Sequence, residues 1–565
     1  MAFDLVIRDG MLVDGTGSPA RRADIGISGD RVVEIGSIPQ TNGARVINAD
    51  GRIVTPGFVD IHSHLDAQVG WDPTMSSSCW HGITSTVMGN CGMTFAPIRP
   101  GDAELLATAM ESVEDIPASS ILQGLSWEWE SYSEYLDMVA ALPLGLNTGG
   151  YVGDVALRLY VAGEASSEPD FAASPAQLGE MAALVEQAMQ AGALGYSISR
   201  SLFHRVPDGR NVPGTWSDPS EFFAIAESLG RLQRGVLESA PRYNEVDGSG
   251  SRVAEELTWM AELSRSTGRP FCFNLQQINS LGNHYREVIE RSQAANATGA
   301  QLRPQITPRS VGVLFSFAAN TIIDDLPSFS RLAGLTLPER LNAIRDSEFR
   351  AQLIAEGAHK TPEGYETMYL MRSEAPATYE YAPEDSIAHL ARISHKTVVE
   401  MYLDEMLASE GKSLVNWPVM NQRSDALEEM ISADVTIMGL ADAGAHATQI
   451  MDASQPTYFL SHWARDKGLI SLEQAVRALS GDTAEFIGYR DRGTVEVGSF
   501  ADINIIDYEN LSLELPEIVR DFPGNAPRFI QRAHGFDAPI VNGEVFMDHG
   551  EHTGSLSGRV LRSTD

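Results

Sequence analysis

The pattern of apolar and polar positions divides the chain into two β-rich ends and a different middle. The first 57 residues carry short apolar runs separated by turn signals such as Asp9-Gly10, which is typical of short β-strands. Residues 502–507 and 539–546 repeat this pattern near the other end of the chain. We therefore predict one small β-sandwich domain built from both termini, with residues 1–57 and 485–565 as its two parts.

Between these ends, helical and strand-like patterns alternate. Ser174-Pro175 and Asp218-Pro219 each combine an N-cap residue with proline at the first helical position, so each predicts the start of a helix. Such repetition predicts an α/β fold in which a TIM-like (β/α)8 barrel spans residues 58–484. A doubly wound open sheet is the alternative, but no G-x-G-x-x-G follows the first strand. The predicted helices end near residues 190, 232 and 267, and the predicted strands after them lie at 195–199, 235–239 and 271–275.

The alternation is interrupted over residues 310–422, approximately. Long, charged, helical segments such as 338–356 occupy this stretch. We interpret it as a helical insertion that is carried on a strand–helix loop and covers the mouth of the barrel. The barrel pattern returns with an apolar run at 434–442, and Ser471-x-x-Gln474 is a capping box that predicts the next helix.

Composition excludes several classes of partner. The 565 residues carry a formal net charge of −35, which argues against nucleic acid and anionic membranes because phosphate binding needs clustered Lys and Arg. Three cysteines cannot form a disulfide framework in a chain of this size, and the first residues do not have the pattern of a signal peptide. No run approaches ~18 apolar residues. We predict a cytoplasmic protein with a small-molecule substrate, and a homo-oligomer stays open.

The strongest candidate for chemistry is a His-x-His pair that ends a short apolar run, Phe58 to Ile61. The run predicts a buried strand, and side chains two apart on a strand face the same way. His62 and His64 therefore share a face, and two imidazoles at one strand end form half of a metal site. The alternative is a pair of ordinary structural histidines.

Other candidates follow from the rule that functional side chains lie at the C-terminal ends of barrel strands. Cys91 lies in a glycine-flanked turn where a thiolate can bind zinc, and a buried core thiol is the alternative. Asp442 ends an apolar run, where a charge is costly unless it is paired or metal-bound, although it could also be a helix N-cap. His446 could polarise a carbonyl or orient this aspartate. The remaining strand ends carry Arg200, Glu238, and Gln276 or Gln277.

Four stretches of the chain carry a family resemblance: TPGFVDIHSHLDAQ, MGNCG, AGALGYSISRSL and GLADAGAHATQIMDASQPTYFLSHWARD. Together they resemble the amidohydrolase superfamily, and within it the chain is most similar to the N-acyl-D-amino-acid deacylase branch. The stretch DRGTVEVGSFADINIID also resembles the return of that superfamily to its β-sandwich. The resemblance covers nearly the whole chain apart from the insertion, and it implies a metal-dependent hydrolase with zinc at the barrel mouth.

The resemblance also implies roles for individual residues. His62 and His64 match the first-strand ligands, Cys91 matches the cysteine ligand of the branch, and Asp442 matches the aspartate that activates water. The branch has a histidine at the end of the fifth strand and another at the end of the sixth, whereas this chain has none at either place. Glu238 could replace one imidazole as a metal ligand. We therefore expect one zinc ion, and two are the alternative.

These features predict hydrolysis of the amide bond of an N-acyl-D-amino acid or a related N-acyl compound by metal-activated water. The alternatives are hydrolysis of a cyclic amide, lactone, carbamate or amidine on the same scaffold, and a metal-free barrel that acts only in binding. A substrate carboxylate needs a cation, so Arg200, Arg242 and Arg309 are candidates, and the alternative for each is a surface or interdomain ion pair. Gln276, near the sixth strand end, is also predicted to bind the substrate. Asp66 is predicted to orient a metal ligand.

Overall fold

The computed structural model describes residues 3–41, 43–246, 248 and 250–564. Two large sheets organise the chain, and the (β/α)8 barrel predicted from the sequence is confirmed by the second of them. The first is an open sheet to which both ends of the chain contribute strands. Ile53–Pro56 and Ile503–Ile506 pair antiparallel at its centre and thereby join the two ends. Its strands are Leu5–Leu12, Arg21–Ser28, Arg31–Gly36, Arg45–Asn48, Ile53–Pro56, Ile503–Ile506, Ile540–Val541 and Glu544–Val545.

The second sheet contains eight parallel strands that neighbour one another in chain order. It closes on itself, because the backbone N–H of His64 donates to Ala443 (2.7 Å) and that of Asp442 donates to His62 (3.1 Å). Closure therefore places the ends of the first and last strands side by side. The barrel strands are Phe58–Asp60, Ile83–Met88, Asn147–Gly153, Gly195–Ser199, Val236–Ala240, Phe271–Asn274, Leu302–Ile306 and Ile437–Met438.

The last barrel strand is much shorter than the apolar run that predicted it. Only Ile437–Met438 is a strand, whereas the run extends over 434–442. Leu440 and Asp442 have φ values of 55° and 48°, in the left-handed region that bulky residues rarely adopt. The chain therefore bends sharply where regular pairing ends, and burial rather than strand pairing explains the apolar run.

Helices surround the barrel and begin where local capping is strongest. The Ser174 hydroxyl accepts from the backbone of Gln177, and Asp218 accepts from Ser220, which confirms both predicted helix starts. No helix in the described ranges has the length and apolar character needed to cross a bilayer. The α-helices outside the insertion are Ala103–Glu114, Ala118–Gly124, Tyr132–Ala141, Asp154–Ala162, Pro175–Ala191, Pro219–Leu232, Val253–Thr267, His284–Asn296, Ser424–Ser432, Gln455–Tyr458, Leu472–Leu479 and Gly481–Ile487.

The insertion between the seventh and eighth barrel strands has its own apolar core, to which Phe317 and Tyr402 contribute. It is not purely helical, because it also contains a three-stranded antiparallel sheet. The segment 338–356 is two helices, since Asp346 ends one and caps the next by accepting from Phe349. Its strands are Val311–Ser316, Tyr369–Met371 and Leu414–Met420, and its helices are Leu337–Arg345, Ser347–Glu356, Ile387–Ser394 and Val398–Ala408.

Part of the C-terminal region leaves the open sheet and packs on the barrel mouth. The hairpin of Glu517–Phe522 and Ala526–Ile530 lies there, and the backbone N–H of Phe529 donates to Ala447 (2.7 Å). Buried Arg528 fixes the hairpin by bonding the Ser76 carbonyl (2.7 Å). The other short strand pairs of this region are Ser512–Leu513 with Ala533–His534, and Met547–Asp548 with Glu551–His552.

Candidate active site

Four side chains from three barrel strands converge at the C-terminal end of the barrel. The ligand atoms of His62, His64 and Cys91 lie within 4.8 Å of one another, and His62 Nε2 is 3.4 Å from Cys91 Sγ. Asp442 Oδ1 lies 3.3 Å from Nε2 of each imidazole. The arrangement brings together the residues that sequence analysis assigned to the metal, apart from Glu238.

A tight turn after the second barrel strand presents the thiol of Cys91. Cys91 has a φ of 54° and lies between Gly89 and Gly92, whose φ values are 76° and 74°. The backbone N–H of Gly89 donates to Asp66 Oδ2 (3.0 Å), and that of Cys91 donates to Glu238 Oε2 (2.8 Å). Asp66 and Glu238 therefore hold the turn through its backbone. Left-handed backbone at a non-glycine residue is uncommon, and functional sites are among the places where it occurs.

The loop that carries Asp442 is strained in the same way. Leu440, Asp442 and His446 all have φ values of 48–55°. Gly444 packs so closely on the first strand end that a Cβ atom there would lie 2.5 Å from the carbonyl oxygen of His64. This close packing aligns the aspartate with the two imidazoles.

Each imidazole is held through its other ring nitrogen. His62 Nδ1 lies 2.9 Å from Gln305 Oε1, and His64 Nδ1 lies 3.1 Å from Glu114 Oε1. These partners direct Nε2 of both rings towards the centre of the cluster, as second partners of metal-binding histidines do. Sequence analysis did not identify Gln305 or Glu114. The only sign of Gln305 in the sequence is its polar side chain within a buried strand, and no feature of the sequence indicates Glu114.

Charge explains why the cluster suits a cation. Burial by itself lowers the pKa of His62, but the neighbouring Cys91 and Asp442 raise it well above the ordinary value. Burial by itself raises the pKa of Asp442. The hydrogen bonds from both imidazoles outweigh burial and hold the pKa of this carboxyl well below its usual range. A metal ion takes the place of such protons when imidazole, thiolate and carboxylate ligands bind it. Two imidazoles, a thiolate and a carboxylate form a donor set that fits zinc.

The ends of the fifth and sixth barrel strands contribute a carboxyl group and an amide group, and neither contributes an imidazole. Glu238 bonds the backbone of Cys91 through Oε2, its Oε1 is buried without a partner in the described structure, and burial raises its pKa to about 7. Asn274 at the sixth strand end donates its amide to Cys91 Sγ at 3.6 Å. Glu238 therefore lies beside the close group of donor atoms and supports the cysteine turn.

Comparison with known proteins agrees with this geometry. The profile described as Amidohydrolase family matches residues 45–538. The chain belongs to the amidohydrolase family.

Two relatives of this amidohydrolase come from Alcaligenes xylosoxydans xylosoxydans. The chain is 24% identical to a D-aminoacylase over 575 residues, which cover 100% of this chain and 98% of the relative. It is 25% identical to an N-acyl-D-glutamate deacylase over 510 residues, which cover 90% and 88% of the two chains. The solved N-acyl-D-glutamate deacylase of Bordetella bronchiseptica, in complex with zinc and a phosphonate inhibitor, superposes with a TM-score of 0.66 at 20% identity over both whole chains. This last likeness shows a shared fold.

The residues of this amidohydrolase that were predicted to bind substrate lie in different environments. Arg200 is buried and bonds Glu256 Oε1 (2.9 Å), and it is thereby committed to an internal ion pair. Arg309 is also buried and bonds Asp452 Oδ1 (2.5 Å). Gln276 is partly buried at the sixth strand end. Arg242 is partly buried as well, and it forms no ion pair with any residue that the structure describes.

A small cleft opens beside Asp442. The loop that carries Asp442 and the hairpin of Glu517–Phe522 and Ala526–Ile530 form its walls. The barrel and the C-terminal region therefore both contribute to the mouth of the site. His446 is partly exposed on the same loop, and its imidazole has no hydrogen-bond partner within the described ranges. The cleft is lined in part by Asp442, Ala445, Met451, Asp452, Arg528 and Phe529.

Proposed function

We propose that this protein hydrolyses the amide bond of an N-acyl-D-amino acid or a related N-acyl compound with a zinc ion held by His62, His64, Cys91 and Asp442. The observation that carries the proposal is the convergence of these four donors, with both imidazoles oriented through their far nitrogens. Membership of the amidohydrolase family and the similarity to a D-aminoacylase and an N-acyl-D-glutamate deacylase support the substrate class.

Zinc bound at such a site lowers the pKa of water from about 15.7 to about 7 and polarises a substrate carbonyl. Asp442 Oδ1 lies 3.3 Å from both imidazoles. We assign to its second oxygen the role of accepting the proton of the attacking water. The same carboxyl then returns the proton to the leaving amine nitrogen. His446, on the same loop, donates a hydrogen bond to the carbonyl oxygen as negative charge develops there.

We propose one zinc ion per chain. A second ion would need several ligands from the fifth and sixth strand ends, where Glu238 Oε2 bonds the backbone of Cys91, only its Oε1 is left, and Asn274 offers an amide. Amide groups are not among the usual zinc ligands, which are cysteine, histidine and carboxylate.

Metal analysis and a substrate panel test this function. We expect about one zinc per chain in the purified protein and release of the acyl group from N-acetyl-D-amino acids in preference to their L-enantiomers. Asp442→Asn is expected to lower kcat by roughly 10²–10⁴-fold, the usual contribution of a positioned acid–base group. The control is Asp434→Asn, an exposed carboxylate at the other end of the same apolar run.

Two results would contradict the proposal. Zinc-replete protein that cleaves cyclic amides or carbamates but no N-acyl amino acid would support the alternative hydrolase. Protein that binds no zinc, cobalt or manganese and stays inactive when they are added would support a binding role.

A further inference from the structure

His204 brings a further imidazole to the mouth of the barrel. It lies on the loop after the fourth barrel strand, Gly195–Ser199, and its side chain is partly buried. In an eight-stranded barrel the fourth strand lies opposite the eighth, so this loop faces the loop of Asp442 across the mouth. The groups whose charges act on the pKa of His204 belong to the site on that far side: Glu114, His446, His64 and Asp442.

Ser199 connects His204 to the turn of Cys91. The Ser199 hydroxyl is buried and lies 2.8 Å from His204 Nδ1. Ser199 also packs so closely on the turn that a Cβ atom at Gly92 would lie 2.7 Å from the backbone nitrogen of Ser199. A single residue therefore separates the imidazole of His204 from the turn that presents the thiol of Cys91.

A small hairpin fixes the backbone around His204. The backbone N–H of Val212 donates to the His204 carbonyl oxygen (3.2 Å), and Asn211 Nδ2 donates to the same oxygen (3.1 Å). Arg205 and Asn211 form an antiparallel bridge across the hairpin. The hairpin therefore restrains the backbone of His204, and Ser199 restrains its ring.

The partner of Nδ1 determines which ring nitrogen of His204 carries the proton. Within the described ranges, the Ser199 hydroxyl has no acceptor other than this Nδ1, and a buried hydroxyl needs an acceptor. Donation from Ser199 to Nδ1 leaves the ring proton on Nε2. Burial lowers the pKa of His204 to about 4, so the ring is neutral at neutral pH. His204 thus offers a neutral N–H donor for which no described residue supplies an acceptor.

We propose that His204 Nε2 donates a hydrogen bond to the carbonyl oxygen of the substrate amide and stabilises the negative charge that develops there. This inference rests on the proposed function, and it places a second donor across the mouth from His446. The fifth and sixth strand ends offer no imidazole for this task, because they carry Glu238 and Asn274. A fixed donor aimed at developing charge contributes more in the transition state than in the ground state, and a neutral imidazole can serve in this way.

Hydrolysis of N-acetyl-D-leucine by the zinc-loaded enzyme tests this donor. His204→Phe keeps a planar ring and removes both nitrogens. We expect kcat to fall by roughly 10²–10³-fold while KM changes by less than about 3-fold, the pattern of a bond made mainly in the transition state. His204→Gln keeps an amide N–H close to the position of Nε2, and we expect it to recover roughly 10-fold of the lost kcat.

Two serine variants separate the orientation of the ring from the integrity of the loop. Ser199→Ala removes the partner of Nδ1, and we expect kcat to fall by roughly 10-fold because the ring is no longer held in place. Ser201→Ala is the matched control, since its hydroxyl lies on the same loop and bonds the backbone N–H of Phe203 (3.2 Å). We expect Ser201→Ala to keep the wild-type kcat and KM.

A tetrahedral analogue gives a readout that does not depend on turnover. In N-(methylphosphonyl)-D-leucine a phosphorus atom with a negatively charged oxygen replaces the carbonyl carbon of the acetyl group. Calorimetry measures its binding to the holoenzyme. We expect His204→Phe to weaken this binding by the same factor as kcat/KM, because both report stabilisation of the oxyanion. Ser201→Ala should bind the analogue as the wild type does.

The outcomes distinguish this inference from the proposed function. Analogue binding that weakens at least roughly 10-fold in His204→Phe, in a protein that cleaves no N-acyl amino acid, would refute the function and retain the donor. Wild-type kcat in folded His204→Phe would refute the donor and retain the function. A loss of kcat that Ser201→Ala shares, or that leaves analogue binding unchanged, would also refute the donor and assign His204 to the structure of the loop. Should His204→Phe not fold, His204→Gln and Ser199→Ala carry the same comparison.

Discussion

The carboxylate of Glu114 lies 3.1 Å from Nδ1 of His64, and Nε2 of the same ring lies 3.3 Å from Asp442. The imidazole thus bridges a buried carboxylate at the end of helix Ala103–Glu114 and the carboxylate of the site. Burial raises the pKa of Glu114, but the charge of His64 outweighs this effect and lowers it. Such a partner fixes the ring orientation and makes the ligand more basic.

We expect Glu114→Gln to weaken zinc binding roughly 10–100-fold, the usual effect of losing such a partner. The amide keeps the shape of the side chain and removes its negative charge. Competition with a fluorescent chelator measures the affinity directly. Glu111→Gln, an exposed position on the same helix, is the control. Equal zinc affinities for both variants would show that Glu114 does not act through His64.

Sequence analysis identified the residues that adjoin strands, including Asp66 and Glu238, which support the Cys91 turn, but not the supporting residues that lie farther from a strand end. His62, His64, Cys91 and Asp442 are detectable because a local strand pattern places each at a strand end. Glu114 ends a helix in a long connection, and only the tertiary fold brings it to His64. The same limit explains the insertion, whose strands pair across more than 40 intervening residues and leave no local pairing signal. It also explains Arg200, because Glu256 is 56 residues away in the chain.

Gly444 offers a second test of the site, since it lies against the backbone of the first metal-binding strand. A Cβ atom there would be 2.5 Å from the His64 carbonyl oxygen, and the φ of +92° disfavours any other residue. We expect Gly444→Ala to displace His64 from Asp442, to reduce bound zinc below one half per chain, and to abolish hydrolysis while the fold is kept. Metal analysis and circular dichroism report these effects.

Gly488→Ala separates the steric collision from the backbone cost of a positive φ, because Gly488 has a φ of +96° and open space around it. This control shares the backbone cost, about 1–2 kcal/mol, but not the collision. A similar loss of zinc in both variants would attribute the effect to general destabilisation.

Arg200 is expected to act in stability rather than in substrate binding. Its guanidinium is buried against Glu256, and removal of one partner leaves an uncompensated buried charge. We expect Arg200→Met to lower the free energy of unfolding by about 3–5 kcal/mol, as measured by urea denaturation, and Arg200→Met with Glu256→Leu to recover much of it. An unchanged urea midpoint together with a raised KM would instead assign Arg200 to the substrate.

His81 predicts how stability depends on pH. Its Nδ1 lies 2.8 Å from the Thr457 hydroxyl and its Nε2 3.1 Å from the Gln531 carbonyl oxygen, so the ring is held neutral. Burial lowers its pKa from 6.5 to about 3, and the charge of Arg309 acts in the same direction. Between these values the unfolded chain binds a proton that the folded chain does not. The contribution of His81 is therefore complete above pH 6.5 and decreases as the pH falls towards 3.

The expected loss from His81 between pH 7.5 and pH 5 is about 2 kcal/mol, at 1.36 kcal/mol per pH unit below 6.5. His81→Gln keeps a donor and an acceptor but does not titrate, so its urea midpoint should fall less than that of the wild type over this interval. His534→Gln is the control, because His534 is 67% exposed and should leave the acid loss unchanged. An acid loss in His81→Gln as large as in the wild type would show that other buried groups, and not His81, determine the sensitivity of this fold to acid.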